Sequence, residues 1–308
     1  MPPLIRRSLP SAENQYFKSI TKPLQKKESA SQNNYNPRQK VEEILKEMND
    51  MVGLKMVKKF IIELQAFVEI QKKREKENLV TEPLVLHMIF SGNPGSGKTT
   101  VARLIGKLFK EMGVLQKGHI IECERADLVG EYIGHTANKT REMVKKALGG
   151  VLFIDEAYSL ARGGEKDFGK EAIDSLVKAM EDHKENLILI LAGYRIEMDN
   201  FIQTNPGLKS RFPIHISFPD YSIDELMAIG ELMLTKRQYE FSPESKIAFK
   251  KMFLNMGSFH PYSGNARMVR NIIEKTIRKQ AVRLYSEPNP SREDLIRIEA
   301  VDLCNDDI

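Results

Sequence analysis

Gly92-Asn93-Pro94-Gly95-Ser96-Gly97-Lys98-Thr99, followed by Thr100, has the residue types and spacing to hold a polyphosphate. It fits G-x-x-x-x-G-K-[ST], in which glycines let the backbone curl with its N–H groups inward, a lysine reaches the β/γ-phosphates and a threonine hydroxyl sits on Mg²⁺. Fifty-seven positions after Lys98, the apolar run Val151-Leu152-Phe153-Ile154 closes on Asp155-Glu156. A carboxylate at the end of a buried strand holds Mg²⁺, usually through water, because a hard dication takes oxygen ligands. The next carboxylate, Glu156, then orients or deprotonates an attacking water. The two motifs, Walker A and Walker B in order, predict metal-assisted hydrolysis of a nucleoside triphosphate.

Such chemistry needs a sheet to bring the motifs together. Leu84–Phe90 reads as a buried parallel strand, and Val101, Leu104, Ile105, Leu108, Phe109 and Met112 recur on one face of a following helix. That order, strand then glycine loop then helix, sets the loop at a helix N-terminus, where free N–H groups favour an anion. Further strands are predicted at His119–Cys123, Val151–Ile154, Leu187–Ala192 and Ile214–Phe218, separated by helical patterns. Four or five parallel strands alternating with helices make a doubly wound α/β domain, with ligands outside the carboxyl ends of its strands. Upstream, two helices are predicted around Val41–Met48 and Val57–Val68, broken at Met51-Val52-Gly53-Leu54. From Tyr221 onward the chain shows no comparable strand signal. It offers instead a capping box at Ser222–Glu225, a cap and Pro at Ser242-Pro243, and a helix opened by Ser263-Gly264-Asn265-Ala266-Arg267. The expected organisation is a basic tail over residues 1–40, an ATPase core over 41–219 and a small all-helical lid over 220–308.

Composition narrows the function classes. Residues 1–40 hold eight Lys/Arg against two acids, so the net charge of +5 resides in this tail and the remaining body is near −1. The tail is too poor in aliphatic residues to offset the entropy of ordering and is expected to be disordered. No apolar run is long enough to span a membrane and no apolar signal-peptide core opens the chain, so a cytoplasmic protein is expected. The two cysteines, Cys123 and Cys304, have no metal-ligand spacing, and the six histidines form no metal-like cluster. The near-neutral body gives no strong nucleic-acid signal, and nothing in the order of residues suggests a protease.

Five further stretches narrow the reading: Ala126–Thr136 (ADLVGEYIGHT), Val151–Leu160 (VLFIDEAYSL), Leu191–Tyr194 (LAGY), Asn205–Phe212 (NPGLKSRF) and Gly264–Arg267 (GNAR). With these in order, residues 41–308 resemble the AAA+ ATPases, and within them the branch that includes red-type Rubisco activase (CbbX) and a sporulation ATPase. The resemblance implies an α/β P-loop NTPase module with a helical lid, ATP and Mg²⁺ as ligands, and a homo-oligomer that is a hexameric ring. It also implies an unidentified protein client that is remodelled or threaded, in sporulation. It sets Met51, Val52 and Gly53 against adenine and makes Tyr132, Ile133 and Gly134 the aromatic pore loop that grips the client. By the same resemblance Arg211 is the arginine finger acting on the neighbouring subunit's ATP, and Arg267 is the lid's sensor 2. One departure stands out: where many AAA+ proteins carry a polar sensor 1, commonly Asn, this chain has Tyr194, so the Tyr194 hydroxyl and Arg195 are both candidates. Two other readings share these residues. One is an ATP-dependent scaffold that threads nothing; the other is a Rubisco activase-like remodeller.

Overall fold

Five runs rich in Val, Ile, Leu and Phe pair in parallel, because only a sheet covered on both faces can bury both sides of such strands. In the computed structural model, which describes residues 36–81, 85–132, 134–162, 167–203, 205–256 and 264–303, these are β1 (Met88–Gly92), β2 (Ile120–Cys123), β3 (Val151–Ile154), β4 (Ile188–Gly193) and β5 (Ile214–Phe218). The order is β2-β3-β4-β1-β5, with Met88 opposite both Ile190 of β4 and Ile214 of β5. Leu84, Ile133, Ser263, Cys304 and residues 1–35 of the expected tail lie outside the described residues.

Alternation along the strands sends side chains to two cores. Met88, Phe90, Val151 and Phe153 join the cluster under helices α1 (Pro37–Asn49), α2 (Lys55–Lys76) and α3 (Lys98–Glu111). Ile89, Leu152, Ile154 and Leu189 join the cluster on the other face, which takes in α5 (His135–Ala147), α6 (Gly169–Asp182) and α7 (Arg195–Gln203). Between them come two single turns, α4 (Arg125–Leu128) and α8 (Pro206–Lys209). The predicted apolar face of α3 is observed, with Val101, Ile105, Leu108 and Phe109 fully buried.

A third core is helical. It packs α9 (Ile223–Thr235), α10 (Pro243–Met256) and α11 (Asn265–Tyr285) around Phe249, Val269 and Ile273, with the short α12 (Arg292–Ile296) following. The capping box at Ser222 forms as its spacing requires, each side chain bonding the other residue's N–H. Two details depart from expectation. The lid contains a two-residue parallel pair, β6 (Glu240–Phe241) with β7 (Arg297–Ile298), too short to leave an alternation signal. At the other end, residues 37–40 belong to α1 rather than to the tail, since Pro37 can stand in a first helical turn where its missing N–H is not needed.

The first strand also starts later than the apolar run suggests, at Met88. His87 explains the offset: its buried Nδ1 accepts the Leu189 N–H at 3.1 Å, and its ring lies 5.9 Å from that of Phe212. An imidazole accepting at Nδ1 is neutral, and burial pushes its pKa down to about 4. The unfolded chain, with an ordinary histidine near 6.5, takes up a proton that the folded chain refuses. This contribution is present above about pH 6.5 and is lost as the pH falls toward 4. Urea unfolding should therefore show about 2–3 kcal/mol less stability at pH 4.5 than at pH 7.5 from this site. The His87→Gln variant should lose that part of the slope, and an unchanged slope would mean that another group carries it.

Candidate active site between sheet and lid

The sheet order determines what meets at its carboxyl edge. β4 lies between β1 and β3, so Tyr194, leaving β4, emerges between the glycine loop that follows β1 and the acid pair that follows β3. The loop closes through its own atoms: Ser96 donates from Oγ to the Asn93 carbonyl at 2.7 Å, and Gly95 and Gly97 take φ of +71° and +99°. Both values belong to the left-handed region that glycine enters without steric cost. The Val101 N–H donates to the Gly97 carbonyl and starts α3. The Lys98 ammonium lies across the loop, donating to the carbonyls of Gly92 at 2.7 Å and Asn93 at 3.0 Å.

At the end of β3 the chain is strained. Glu156 has φ +47°, a left-handed conformation that costs a side-chain-bearing residue roughly 1–2 kcal/mol. The surroundings hold it there. Its N–H donates to Asp155 Oδ1 at 3.0 Å, its carbonyl accepts from Ser159 at 2.8 Å, and a 3₁₀ turn runs from Ala157 to Ala161. Arg125 pins that turn, donating to the Ser159 carbonyl at 2.6 Å while pairing with Asp167 at 2.6 Å. The strain thus falls on one of the two carboxylates itself, Glu156.

A cavity of ≈ 540 Å³ gathers these pieces. One wall is Pro94, Gly95, Gly97, Lys98, Thr99 and Thr100; a second is Asp155, Glu156 and Tyr194. The lid supplies Ile229, Met233 and Arg267, and Met51 and Val52 line another part of the wall. Lys58 steadies that last segment, its ammonium donating to the carbonyls of Asn49 and Met51. Burial lowers the Lys98 pKa; Asp155 opposes the shift and nearby Arg267 adds to it. Lys98 and Arg267 thus converge on one cavity that Lys236, Arg237 and Arg270 also line, with a carboxylate pair beside them, a charge pattern suited to a polyanion carrying a divalent ion. The Tyr194 hydroxyl is pushed up, by burial first and then by Glu156.

The other predicted residues are placed elsewhere. Gly92 ends β1, and Ser96 is fully buried beneath the loop. The Asn93 side chain turns to Asp220, and Gly53, at φ +66°, faces Glu225 and Tyr221 of the lid rather than the cavity. Arg211 is not among the cavity-lining residues; its guanidinium pairs with Glu181 at 2.8 Å and donates to the Gly207 carbonyl at 3.0 Å. Tyr132 is 65% exposed, its ring edge-on to His135 at 5.5 Å, and Gly134 takes φ +81° to start α5. The base of that loop is fixed, with the Gly130 N–H donating to buried Thr136 and Thr140 donating to the Leu128 carbonyl. Asp220, Tyr221 and Arg270 were not singled out from sequence. Arg270 lines the cavity one turn after Arg267, a relation visible in the i, i+3 spacing.

Two family models match in tandem: the ATPase family associated with various cellular activities (AAA) over residues 88–220, and the AAA lid domain over 222–307. Stage V sporulation protein K of Bacillus subtilis (strain 168) is 57% identical over 265 residues, covering 85% of this chain and 82% of that protein. The chain belongs to the AAA ATPase family. Among other relatives of this AAA ATPase, CbbX of Cereibacter sphaeroides is 46% identical, with 79% of each chain covered. The chloroplastic ribulose bisphosphate carboxylase/oxygenase activase of Cyanidioschyzon merolae is 42% identical, covering 85% of this chain and 91% of that one. In fold, the ATPase is similar to the RuvB Holliday junction branch migration motor of Thermotoga maritima, with TM-score 0.53, 19% identity, and coverage of 83% of this chain and 68% of that one. As a member of the family it binds nucleotide and hydrolyses ATP. No described helix is long and apolar enough to cross a membrane.

The strained corner yields a test of its own. Glycine at position 156 would release the left-handed strain while removing the carboxylate, so Glu156→Gly should raise stability by up to ~1 kcal/mol in urea unfolding while ATP turnover is lost. A variant both less stable and still active would show that neither strain nor carboxylate matters there.

Proposed function

We propose that this protein is a ring-forming AAA+ remodeller that uses Mg·ATP to pull on a polypeptide client, in sporulation. The observation that carries the reading is the single cavity lined by the glycine loop, Asp155, Glu156 and Arg267. Among the described residues no three His, Cys, Asp or Glu side chains form a metal cluster. A Mg²⁺ would take the Thr99 hydroxyl and Asp155, both of which line that cavity, with its other oxygens from phosphate and water. When bound, the ion neutralises charge on the β- and γ-phosphates. The chain's own residues do the rest: Lys98 and the loop N–H groups hold the phosphates, Glu156 orients or deprotonates water, and Arg267 reports the γ-phosphate to the lid. Tyr194, between the loop and the acid pair, is the better candidate for the sensor 1 place than Arg195, which does not line the cavity. Met51 and Val52 close on the base.

Arg211 suits a finger that acts across a subunit boundary, by family analogy in a hexamer. Its pair with the largely exposed Glu181 is a surface ion pair worth about 0–1 kcal/mol, so redirecting the guanidinium to a neighbour's phosphate costs little. An exposed Tyr132 on a firmly based loop suits the grip on an extended client, with Ile133 and Gly134 completing the loop. Sporulation is proposed because the relative matched at 57% carries that name, against 42% for the ribulose bisphosphate carboxylase/oxygenase activase and 46% for CbbX.

Replacing Glu156 with Gln should lower turnover by at least ~100-fold, the scale of a lost general base, while ATP affinity is retained. The ATP-loaded variant should retain a client from a sporulating-cell extract that mass spectrometry can identify, and adding Tyr132→Ala should release it. Equal capture with and without Tyr132 would replace threading with scaffolding. Normal turnover in Glu156→Gln would remove that residue from the chemistry.

A further inference from the structure

Four consecutive residues of the glycine loop are each hydrogen-bonded to the lid or to the residues that open it. Asn93 Nδ2 donates to Asp220, at 3.0 Å to Oδ1 and 2.9 Å to Oδ2. The Pro94 carbonyl accepts from Asn265 Nδ2 at 3.3 Å, the Gly95 carbonyl from the Ala266 N–H at 3.2 Å, and the Ser96 carbonyl from the Tyr221 hydroxyl at 3.2 Å. Asp220 and Asn265 knit these contacts into one cluster. Asn265 Nδ2 donates to Asp220 Oδ1 at 2.7 Å, and its Oδ1 accepts the Tyr221 N–H at 3.0 Å.

Asn265 is 1% exposed and has φ +44°, a conformation that asparagine tolerates better than most residues. It stands two positions before Arg267, at the first residue of α11. A Cβ on Gly95 would come within 2.8 Å of the Arg267 nitrogen, so glycine is required there by the lid as well as by φ.

The direction of these bonds matters. A trans peptide sets each carbonyl opposite the next residue's N–H. Drawing the Pro94 and Ser96 carbonyls toward the lid turns the N–H groups of Gly95 and Gly97, both of which line the cavity, the other way. We propose that the Asp220–Asn265 clasp is a positioning device for the phosphate loop, coupling the shape of the phosphate cradle to the seating of the lid helix that carries Arg267. The lid then responds to occupancy through the loop's backbone as well as through the Arg267 side chain. The inference rests on the cavity being the nucleotide site.

The test uses the full chain and a fluorescent ADP analogue, with hydrogen exchange as a second readout. Asp220→Asn keeps the shape and leaves Oδ1 for Asn265, but sets an amide NH₂ against that of Asn93. Asn265→Gly keeps the left-handed backbone and deletes the side chain. Each should weaken ADP affinity about 10-fold, the scale of one lost charge-assisted hydrogen bond. The double variant should be little worse than the weaker single, because the two act in one network. In the parent protein ADP should slow amide exchange both in the loop and in the first turn of α11; in the variants it should slow the loop but no longer α11. Unfolding midpoints near that of the parent protein would exclude simple loss of fold. Parent-like affinity with α11 still slowed in both variants would overturn the clasp. Lys98→Ala binding ADP as well as the parent would instead overturn the nucleotide-site reading beneath it.

Discussion

A backbone can offer bare N–H groups to an anion only if its carbonyls are satisfied elsewhere, since each peptide carries both and neither tolerates dry isolation. That constraint organises the carboxyl edge of this molecule. The helix that follows the loop donates its Val101 N–H to the Gly97 carbonyl; Tyr221, Asn265 and Ala266 take up the carbonyls of Pro94, Gly95 and Ser96; and Lys98 caps those of Gly92 and Asn93. The phosphate cradle is therefore completed by a segment more than a hundred residues away in sequence. The lid, in this view, is part of the cradle rather than a cover added to it.

The same economy explains the opposite wall. Glu156 can stand in a left-handed conformation because β2, β3 and the Arg125-pinned turn fix the chain on both sides of it. Arg125 belongs to the segment that leads into the Tyr132 loop, and through Ser159 it touches the turn that begins at Glu156. The Tyr132 loop and the Glu156 corner thus share one short, hydrogen-bonded scaffold. Rigid elements hold both, while Tyr132 itself remains at the surface.

How much of this could be read from the chain depended on the range of the interaction. The five strands and α3 were legible because burial on one or two faces imposes a period on consecutive residues. That Lys98, Asp155 and Glu156 would line one cavity was legible because a glycine loop after one strand and an acid pair after another both leave the carboxyl edge of the sheet. Asp220 was not: it stood only at the boundary between core and lid, and its partners Asn93 and Asn265 lie 127 and 45 positions away, with no period to link them. His87 was hidden for a related reason. An imidazole that accepts the Leu189 N–H looks, in sequence, like one more residue of an apolar strand. The lid's two-residue strands left no pattern because two residues cannot alternate. Tyr194 was noticed only as a departure; its place between loop and acids followed from the strand order, which no local stretch encodes.

Lys98 shows how such a site can be both firm and responsive. Its ammonium donates to the Asn93 carbonyl, but that oxygen also accepts the Ser96 hydroxyl at 2.7 Å and the Ser96 N–H at 3.4 Å. If Lys98 moves to a phosphate, the Asn93 carbonyl retains partners and the usual penalty for orphaning a buried acceptor does not arise there. Burial and the neighbouring Arg267 meanwhile make the ammonium's present position less favourable for its charge, while Asp155 opposes that effect. A polyanion arriving in the cavity would supply compensation to Lys98 and Arg267 together, and the clasp would carry the resulting adjustment into the helix on which Arg267 stands. On this proposal charge would draw the phosphate in, and the carbonyl contacts would make the lid feel it.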